Sequence, residues 1–114
     1  MQKNDLIFLY HVQGSIHKIQ AYTNGISEGE FLSNSLIHDA VIRNFEIIGE
    51  ASKYLSEELK RKHPQVQWKR IAGMRDKLIH GYFGVDLLAV WAVVTDILPG
   101  LDKEISQIIN QIRP

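Results

Sequence analysis

The chain of 114 residues contains no cysteine. This absence excludes a disulfide framework, a thiolate metal site and a cysteine nucleophile, and it fits a reducing compartment. Long apolar runs are also missing, because the longest candidate, residues 85–98, is interrupted by Asp86 and Asp96. No segment therefore reaches the ~18–20 apolar residues of a membrane span. The first residues lack the basic and apolar regions of a signal peptide. We expect a cytoplasmic protein without membrane contact.

Net charge is absent too, because 13 Lys and Arg residues balance 13 Asp and Glu residues. Neutrality argues against a protein that binds nucleic acid through bulk electrostatics alone. The charges are nevertheless segregated along the chain. Seven cations fall in one stretch in which Asp76 is the only acid, namely Lys60, Arg61, Lys62, Lys69, Arg70, Arg75 and Lys77. The ordinary interpretation of such a run is a solvated helix end.

The pattern of apolar residues predicts an all-α bundle. Apolar residues make up 45% of the chain, enough for a buried core, and the length fits a single domain over residues 1–114. Helical periodicity, without strand alternation, predicts four or five helices. They cover residues 4 or 5 to 22, 33 or 35 to 62, 68 to about 80, and 87–98, and Pro99-Gly100 either kinks the last of these or starts a terminal helix. Residues 26–32, which include Gly29, are predicted to form a loop.

Individual residues predict several helix ends. Asn4 or Asp5 can cap the first helix, and Gly25 suits a left-handed position after its last turn. Pro64 ends the second helix, since the residue before proline disfavours helical angles. Asp86 is predicted to cap the helix that begins at residue 87.

The second predicted helix is apolar over an unusually wide arc. Such a helix needs partners on two sides, which places it either at the centre of a bundle or at a dimer interface. Gly49 lies within it and costs helix stability, but its small size would let another helix approach closely.

The residues that could carry chemistry are few. The histidines lie at positions 11, 17, 38, 63 and 80, without the His-x-x-x-His spacing of a zinc site, so neither a metal nor a cofactor is predicted. Arg75, His80 and Tyr82 stand together at a predicted helix end. A guanidinium can hold a phosphate and an imidazole can transfer a proton, which suits phosphodiester cleavage without metal. The spacing alone also allows purely structural roles, with Arg75 as a surface ion-pair partner, His80 as a C-terminal helix cap and Tyr82 as a core aromatic.

Three blocks between residues 39 and 86 resemble the HepT-like family of HEPN domains, the ribonuclease toxins of toxin–antitoxin pairs. They are RNFEIIGEA at 43–51, WKRIAGMRD at 68–76 and LIHGYFGVD at 78–86. The resemblance implies a dimeric HEPN bundle of four to five helices with its active cleft at the two-fold axis. It implies that Arg75 and His80 are catalytic in the family's Arg-x4-His-x-Tyr motif. It also implies that Tyr82 is the tyrosine to which a cognate minimal nucleotidyltransferase antitoxin attaches AMP, and that this AMPylation silences the toxin.

On this basis we expect a metal-independent endoribonuclease that acts on RNA as a homodimer. Residues expected to guide the RNA backbone are Lys69, Arg70 and Lys77. Residues expected to line the cleft are Asn44, Glu50 and Asp76. For Asn44 and Glu50, ordinary polar helix positions are the alternative. For the whole chain, the alternatives are a non-catalytic helical subunit that docks a nucleotidyltransferase, and a dimerising helical domain without any site.

Overall fold

The computed structural model describes residues 4–78 and 86–114, apart from the side chains of Arg75 and Leu78. All regular structure in these ranges is helical, which confirms the predicted all-α class. The helices are α1 (Asp5–Thr23), α2 (Glu28–Ser33), α3 (Ser35–Lys53), α4 (Glu57–Lys62), α5 (Trp68–Ala72), α6 (Met74–Leu78), α7 (Leu87–Ala92) and α8 (Leu98–Ile112), with a π-helical segment, Val93–Ile97, between the last two. None of the described helices is both long and apolar enough to cross a membrane.

α3 is the central helix of the bundle. It packs against α1 on one side and against α5 and α6 on another, while α8 covers a further part of α1. Val41, Phe45 and Ile48 of α3 are fully buried in this core. The prediction that this helix needs partners on two sides is confirmed. Gly49 faces α5, where a Cβ atom would lie 3.4 Å from the carbonyl oxygen of Ala72.

The two ends of α1 differ in how well the sequence predicted them. Gly25, just beyond its end, has a φ of +77°, the left-handed conformation that glycine adopts without a steric penalty. At the start, Asn4 occupies the N-cap position but its side chain makes no capping hydrogen bond. Asp5 is the first helical residue, and its buried carboxylate binds Ser56. Asn4 therefore does not act as the predicted side-chain cap, and Asp5 lies within the helix.

The predicted loop at residues 26–32 is wrong, because most of it forms α2. Ser27 and Glu30 make a reciprocal capping box: the Glu30 N–H donates to Ser27 Oγ at 3.1 Å, and the Ser27 N–H donates to Glu30 Oε1 at 3.2 Å. This arrangement satisfies two backbone donors and offsets the cost of Gly29. Phe31 is fully buried, and its ring centroid lies 5.0 Å from that of Trp91 in α7.

The long second helix predicted to reach residue 62 is divided into α3 and α4. The side chain of Ser56 accepts the N–H of Leu59 at 3.2 Å and so caps α4, and the Ser56 N–H donates to Asp5 instead of continuing α3. The apolar pattern runs through the break, since Leu55 and Leu59 are both buried. The predicted end before Pro64 is confirmed, because α4 stops at Lys62.

The third predicted helix is also interrupted. α5 ends at Ala72 and α6 begins at Met74, with Gly73 as the turn between them. The predicted end near His80 and the loop at residues 81–85 lie outside the described residues. The Trp68 indole N–H donates to the carbonyl of His63 at 3.0 Å and holds α5 against the end of α4.

Residues 87–112 form one nearly continuous helical rod, the C-terminal rod. Asp86 caps α7, as predicted, by accepting the N–H of Ala89 at 3.0 Å. The predicted helix 87–98 then changes to π geometry over Val93–Ile97. Pro99 lies in the first turn of α8, where its missing N–H costs least. The Pro99-Gly100 pair therefore starts the terminal helix, in which Ile105, Ile108 and Ile109 are buried.

Candidate nucleic-acid interface

The backbone of α6 carries position 75, and α6 packs against α3, α5 and α7. The chain segment with His80 and Tyr82 joins α6 to α7. The side chain of Arg75 and all of His80 and Tyr82 lie outside the described residues. The predicted meeting of the arginine and the histidine therefore stays a prediction. Asp76, the fourth candidate in this region, is exposed on α6.

The two cleft-lining candidates of α3 have different environments. Asn44 is 6% exposed, and its Nδ2 donates to the carbonyl of Ala40 at 2.9 Å, while its buried Oδ1 has no hydrogen-bond partner among the residues that the structure describes. Glu50 is largely exposed and lies 4.0 Å from Lys53 Nζ as an i,i+3 ion pair. Six residues along a helix correspond to ~240° of rotation, so these two side chains do not share a face. Of the two, only Asn44 is buried.

The Asn44 carboxamide is unusual because buried polar atoms are nearly always paired. An unsatisfied buried acceptor costs about 1–3 kcal/mol, and such atoms in native proteins call for a specific explanation. Its orientation follows from chemistry, since the opposite rotamer would place two oxygens against each other at Ala40. Within the described part of the chain, this oxygen is left to accept a hydrogen bond from a further group.

Four cations gather where α4 meets α5, and we call them the α4–α5 basic surface. They are Lys60, Arg61, Lys69 and Arg70, around a shallow hollow of about 630 Å³. Lys60 lies 3.8 Å from Glu57, and Arg70 donates to Gln67 Oε1 at 2.6 Å. Within the described residues, Arg61 and Lys69 make no ion pair shorter than 4.0 Å. These two charges remain available to an anion.

A second hollow of about 350 Å³ separates α5 and α6 from the C-terminal rod, and we call it the α6–α8 groove. Its floor is apolar and is made by Ile71, Met74, Val93, Ile97 and Leu101. Arg70 and Lys77 line the α5–α6 side, and Asp96 and Glu104 line the opposite side.

Gln67 and Arg70 line both hollows, so the groove is continuous with the α4–α5 basic surface. The fold thus brings together the three predicted RNA-binding residues, Lys69, Arg70 and Lys77, along one path. Asp96 and Glu104 line the groove as well, and the sequence motifs do not single them out. No local pattern marks them, because they face these cations only through the packing of the C-terminal rod.

The remaining described histidines do not form a metal centre. His17 Nε2 lies 3.0 Å from Asp102 Oδ1 across α1 and α8, and His38 Nδ1 lies 3.3 Å from Asp39 without the geometry of a hydrogen bond. Among residues 4–78 and 86–114, no three His, Cys, Asp or Glu side chains converge on a common point that could hold a metal ion.

Comparison with known proteins gives a family match over most of the chain. The family model described as "Ribonuclease HepT-like" matches residues 12–108. The protein named "Putative RNase MJ1380" of Methanocaldococcus jannaschii is 42% identical over 92% of this chain and 97% of its own. The "Probable ribonuclease HepT" of Thermococcus cleftensis is 42% identical over 89% of this chain and 92% of its own. No solved structure gives a significant match. The chain therefore belongs to the HepT-like ribonuclease family.

Proposed function

We propose that the chain is one HEPN domain that acts as a metal-independent endoribonuclease, the toxin of a toxin–antitoxin pair. The observation that carries the proposal is the basic path that leads from α4 to α6, the helix that bears position 75, in a chain of this family. A path of separated cations suits the regularly spaced phosphates of a single RNA strand. The relatives are themselves named as ribonucleases.

In the proposed mechanism, Arg75 binds the scissile phosphate and stabilises the charge that develops on its oxygens. His80 transfers a proton, either from the ribose 2′-hydroxyl or to the leaving 5′-oxygen. Attack by the 2′-oxygen on phosphorus forms a 2′,3′-cyclic phosphate and breaks the bond to the 5′-oxygen. One imidazole cannot be acid and base in the same step, so the second protomer of a homodimer supplies the other group. Tyr82 lines the same cleft.

The proposed control of this activity is AMPylation of Tyr82 by a cognate minimal nucleotidyltransferase. Attachment of an adenylyl group would place a bulky anion beside a phosphate-binding arginine. The modified tyrosine would occupy the cleft and compete for its positive charge. Among the described tyrosines, Tyr54 is 61% exposed and Tyr10 is 43% exposed. If exposure alone directed the modification, Tyr54 would therefore be the favoured acceptor among the described tyrosines.

Cleavage of a defined single-stranded RNA tests the activity. We expect the wild-type protein to produce 2′,3′-cyclic phosphate ends in the presence of EDTA. Substitution of the 2′-hydroxyl at the cleaved position by hydrogen should block the reaction. His80→Ala should abolish cleavage and leave helicity unchanged, while His11→Ala, at an exposed position of α1, serves as the matched control. Full cleavage by His80→Ala would refute the assignment, and absence of cleavage by the wild type would favour the docking-subunit alternative.

Co-expression with a cognate minimal nucleotidyltransferase tests the proposed silencing mechanism. Intact mass should increase by one adenylyl group, and peptide mapping should place the group on Tyr82. Tyr82→Phe should remain unmodified, and its ribonuclease activity should no longer be silenced. Tyr54→Phe should still be modified. Labelling of Tyr54 in place of Tyr82 would show that exposure directs the reaction.

A further inference from the structure

The α6–α8 groove has a division of charge that the cleavage chemistry does not use. Its cations lie on the α5–α6 side and its carboxylates lie on the side of the C-terminal rod, with apolar side chains between them. Within the described residues, Arg70 and Lys77 make no ion pair shorter than 4.0 Å with Asp96 or Glu104. The two signs therefore face an open space across the groove.

The volume and lining of the groove fit a small planar ligand. A volume of about 350 Å³ lies within the ~300–1,000 Å³ range of small-molecule sites, which are mostly apolar with a few polar groups that fix orientation. Ile97 is 47% exposed on the floor, whereas Met74 is only 8% exposed. The exposed aliphatic side chains of the floor can make dispersion contacts with the flat face of a ring.

The charged side chains of the groove indicate which functional groups the ligand carries. A phosphate is matched by Arg70 and Lys77. Carboxylates accept hydrogen bonds from the exocyclic amino groups of nucleobases, as in the contact of Glu or Asp with cytosine N4. A single nucleotide presents both features, with a phosphate at one end and a base edge at the other.

We infer that the α6–α8 groove is a subsite for one nucleotide of the RNA substrate, and that Asp96 and Glu104 select a base with an exocyclic amino group. This inference rests on the proposed function for its substrate class. The backbone of the strand follows the α4–α5 basic surface as far as Arg70, and one base turns into the groove. Single-stranded RNA is commonly recognised through such unstacked bases, which expose their Watson–Crick edges.

Cytidine and uridine monophosphates provide a matched pair of probes. They differ at position 4 of the ring, where cytosine carries an amino group and uracil carries a carbonyl oxygen. A carboxylate accepts a hydrogen bond from the first and is repelled by the second. We expect the wild-type protein to bind cytidine monophosphate about tenfold more tightly, in line with the usual strength of one specific base contact.

The experiment is a titration of the full-length protein with each mononucleotide, followed by ¹H–¹⁵N chemical shifts. Cytidine monophosphate should shift the amides of α5, α6 and the π-helical segment. The double variant Asp96→Asn, Glu104→Gln should bind both nucleotides equally, because an amide can donate as well as accept. Glu28→Gln, an exposed carboxylate of α2, is the control and should keep the tenfold difference.

Three results would overturn the subsite. They are equal binding of the two nucleotides by the wild type, shifts that lie away from the groove, and conversion of a dimer to a monomer by Ile97→Asp, which would make the groove a contact between copies. Binding does not require turnover. A protein that discriminates the two nucleotides but never cleaves RNA would contradict the proposed function, and an active enzyme without discrimination would contradict the subsite.

Discussion

The buried carboxylate of Asp5 accepts two hydrogen bonds from Ser56, one from the backbone N–H at 2.8 Å and one from the hydroxyl at 2.6 Å. The two residues are 51 positions apart in the sequence. Because Ser56 Oγ also accepts the N–H of Leu59, the contact fixes the start of α4 against the first turn of α1. α4 carries Lys60 and Arg61, so this contact also positions half of the α4–α5 basic surface.

Asp5→Ala should therefore destabilise the protein by about 2–3 kcal/mol, because it leaves the Ser56 N–H without its partner and removes a charged hydrogen bond. For a domain of this size the melting temperature should fall by about 10 °C. Asp39→Ala is the matched control, since that carboxylate is 76% exposed and should have little effect. Equal melting temperatures for the two variants would show that the Asp5 contact contributes no net stability.

Substitution of Asn44 should lower the rate of RNA cleavage without lowering the stability of the protein. Asn44→Leu removes the orphaned buried oxygen and replaces the carboxamide with an apolar group of similar size, so stability should be unchanged or higher by about 1 kcal/mol. If the oxygen accepts a hydrogen bond from substrate or from a catalytic group, the rate of RNA cleavage should fall at least about tenfold. Asn110→Leu on the exposed surface of α8 is the control. A stable Asn44→Leu variant with normal cleavage would show that Asn44 has a purely structural role.

Gly49 should tolerate one methyl group but not a branched side chain. The Cβ of Gly49→Ala would lie 3.4 Å from Ala72 O and 3.5 Å from Ile71 O, an ordinary contact distance that allows the gain in helix propensity, about 1 kcal/mol, to be largely retained. Gly49→Val would press on the backbone of α5 and cost about 1–3 kcal/mol.

Gly14 provides the comparison for this series, because a Cβ atom there meets nothing within 4 Å. Both Gly14→Ala and Gly14→Val should be neutral or stabilising in urea denaturation. A Gly49→Val protein as stable as Gly49→Ala would mean that α5 moves away from α3 without cost.

RNA binding by the α4–α5 basic surface should be detected through the salt dependence of the affinity. Arg61→Ala and Lys69→Ala should each weaken the binding of a single-stranded RNA, and each should reduce the slope of log K against log salt concentration by about 0.7 if its cation neutralises one phosphate. Lys103→Ala is the control, because Lys103 is exposed on α8 outside both hollows. An unchanged slope in the Arg61 and Lys69 variants would remove this surface from the RNA path.

Local sequence patterns predicted the elements whose causes are local. The break before Pro64, the cap at Asp86 and the left-handed Gly25 each depend on the covalent structure of one residue and its immediate neighbours. The capping box of Ser27 and Glu30 is equally local, but the low helix propensity of Gly29 favours the prediction of a loop where α2 forms. The family motif likewise named Arg75, His80 and Tyr82 from the sequence, and their roles remain predictions.

The amino-acid sequence by itself determined the helical class, because apolar residues at helical spacing can be buried in only that conformation, and it determined the family through three short blocks. Only the tertiary structure decided where α3 ends and α4 begins, since Asp5 binds Ser56 from 51 positions away in the sequence. It also decided that Asp96 and Glu104 face Arg70 and Lys77 across one groove. Charges on separate helices acquire a common ligand only when packing fixes the distance between them.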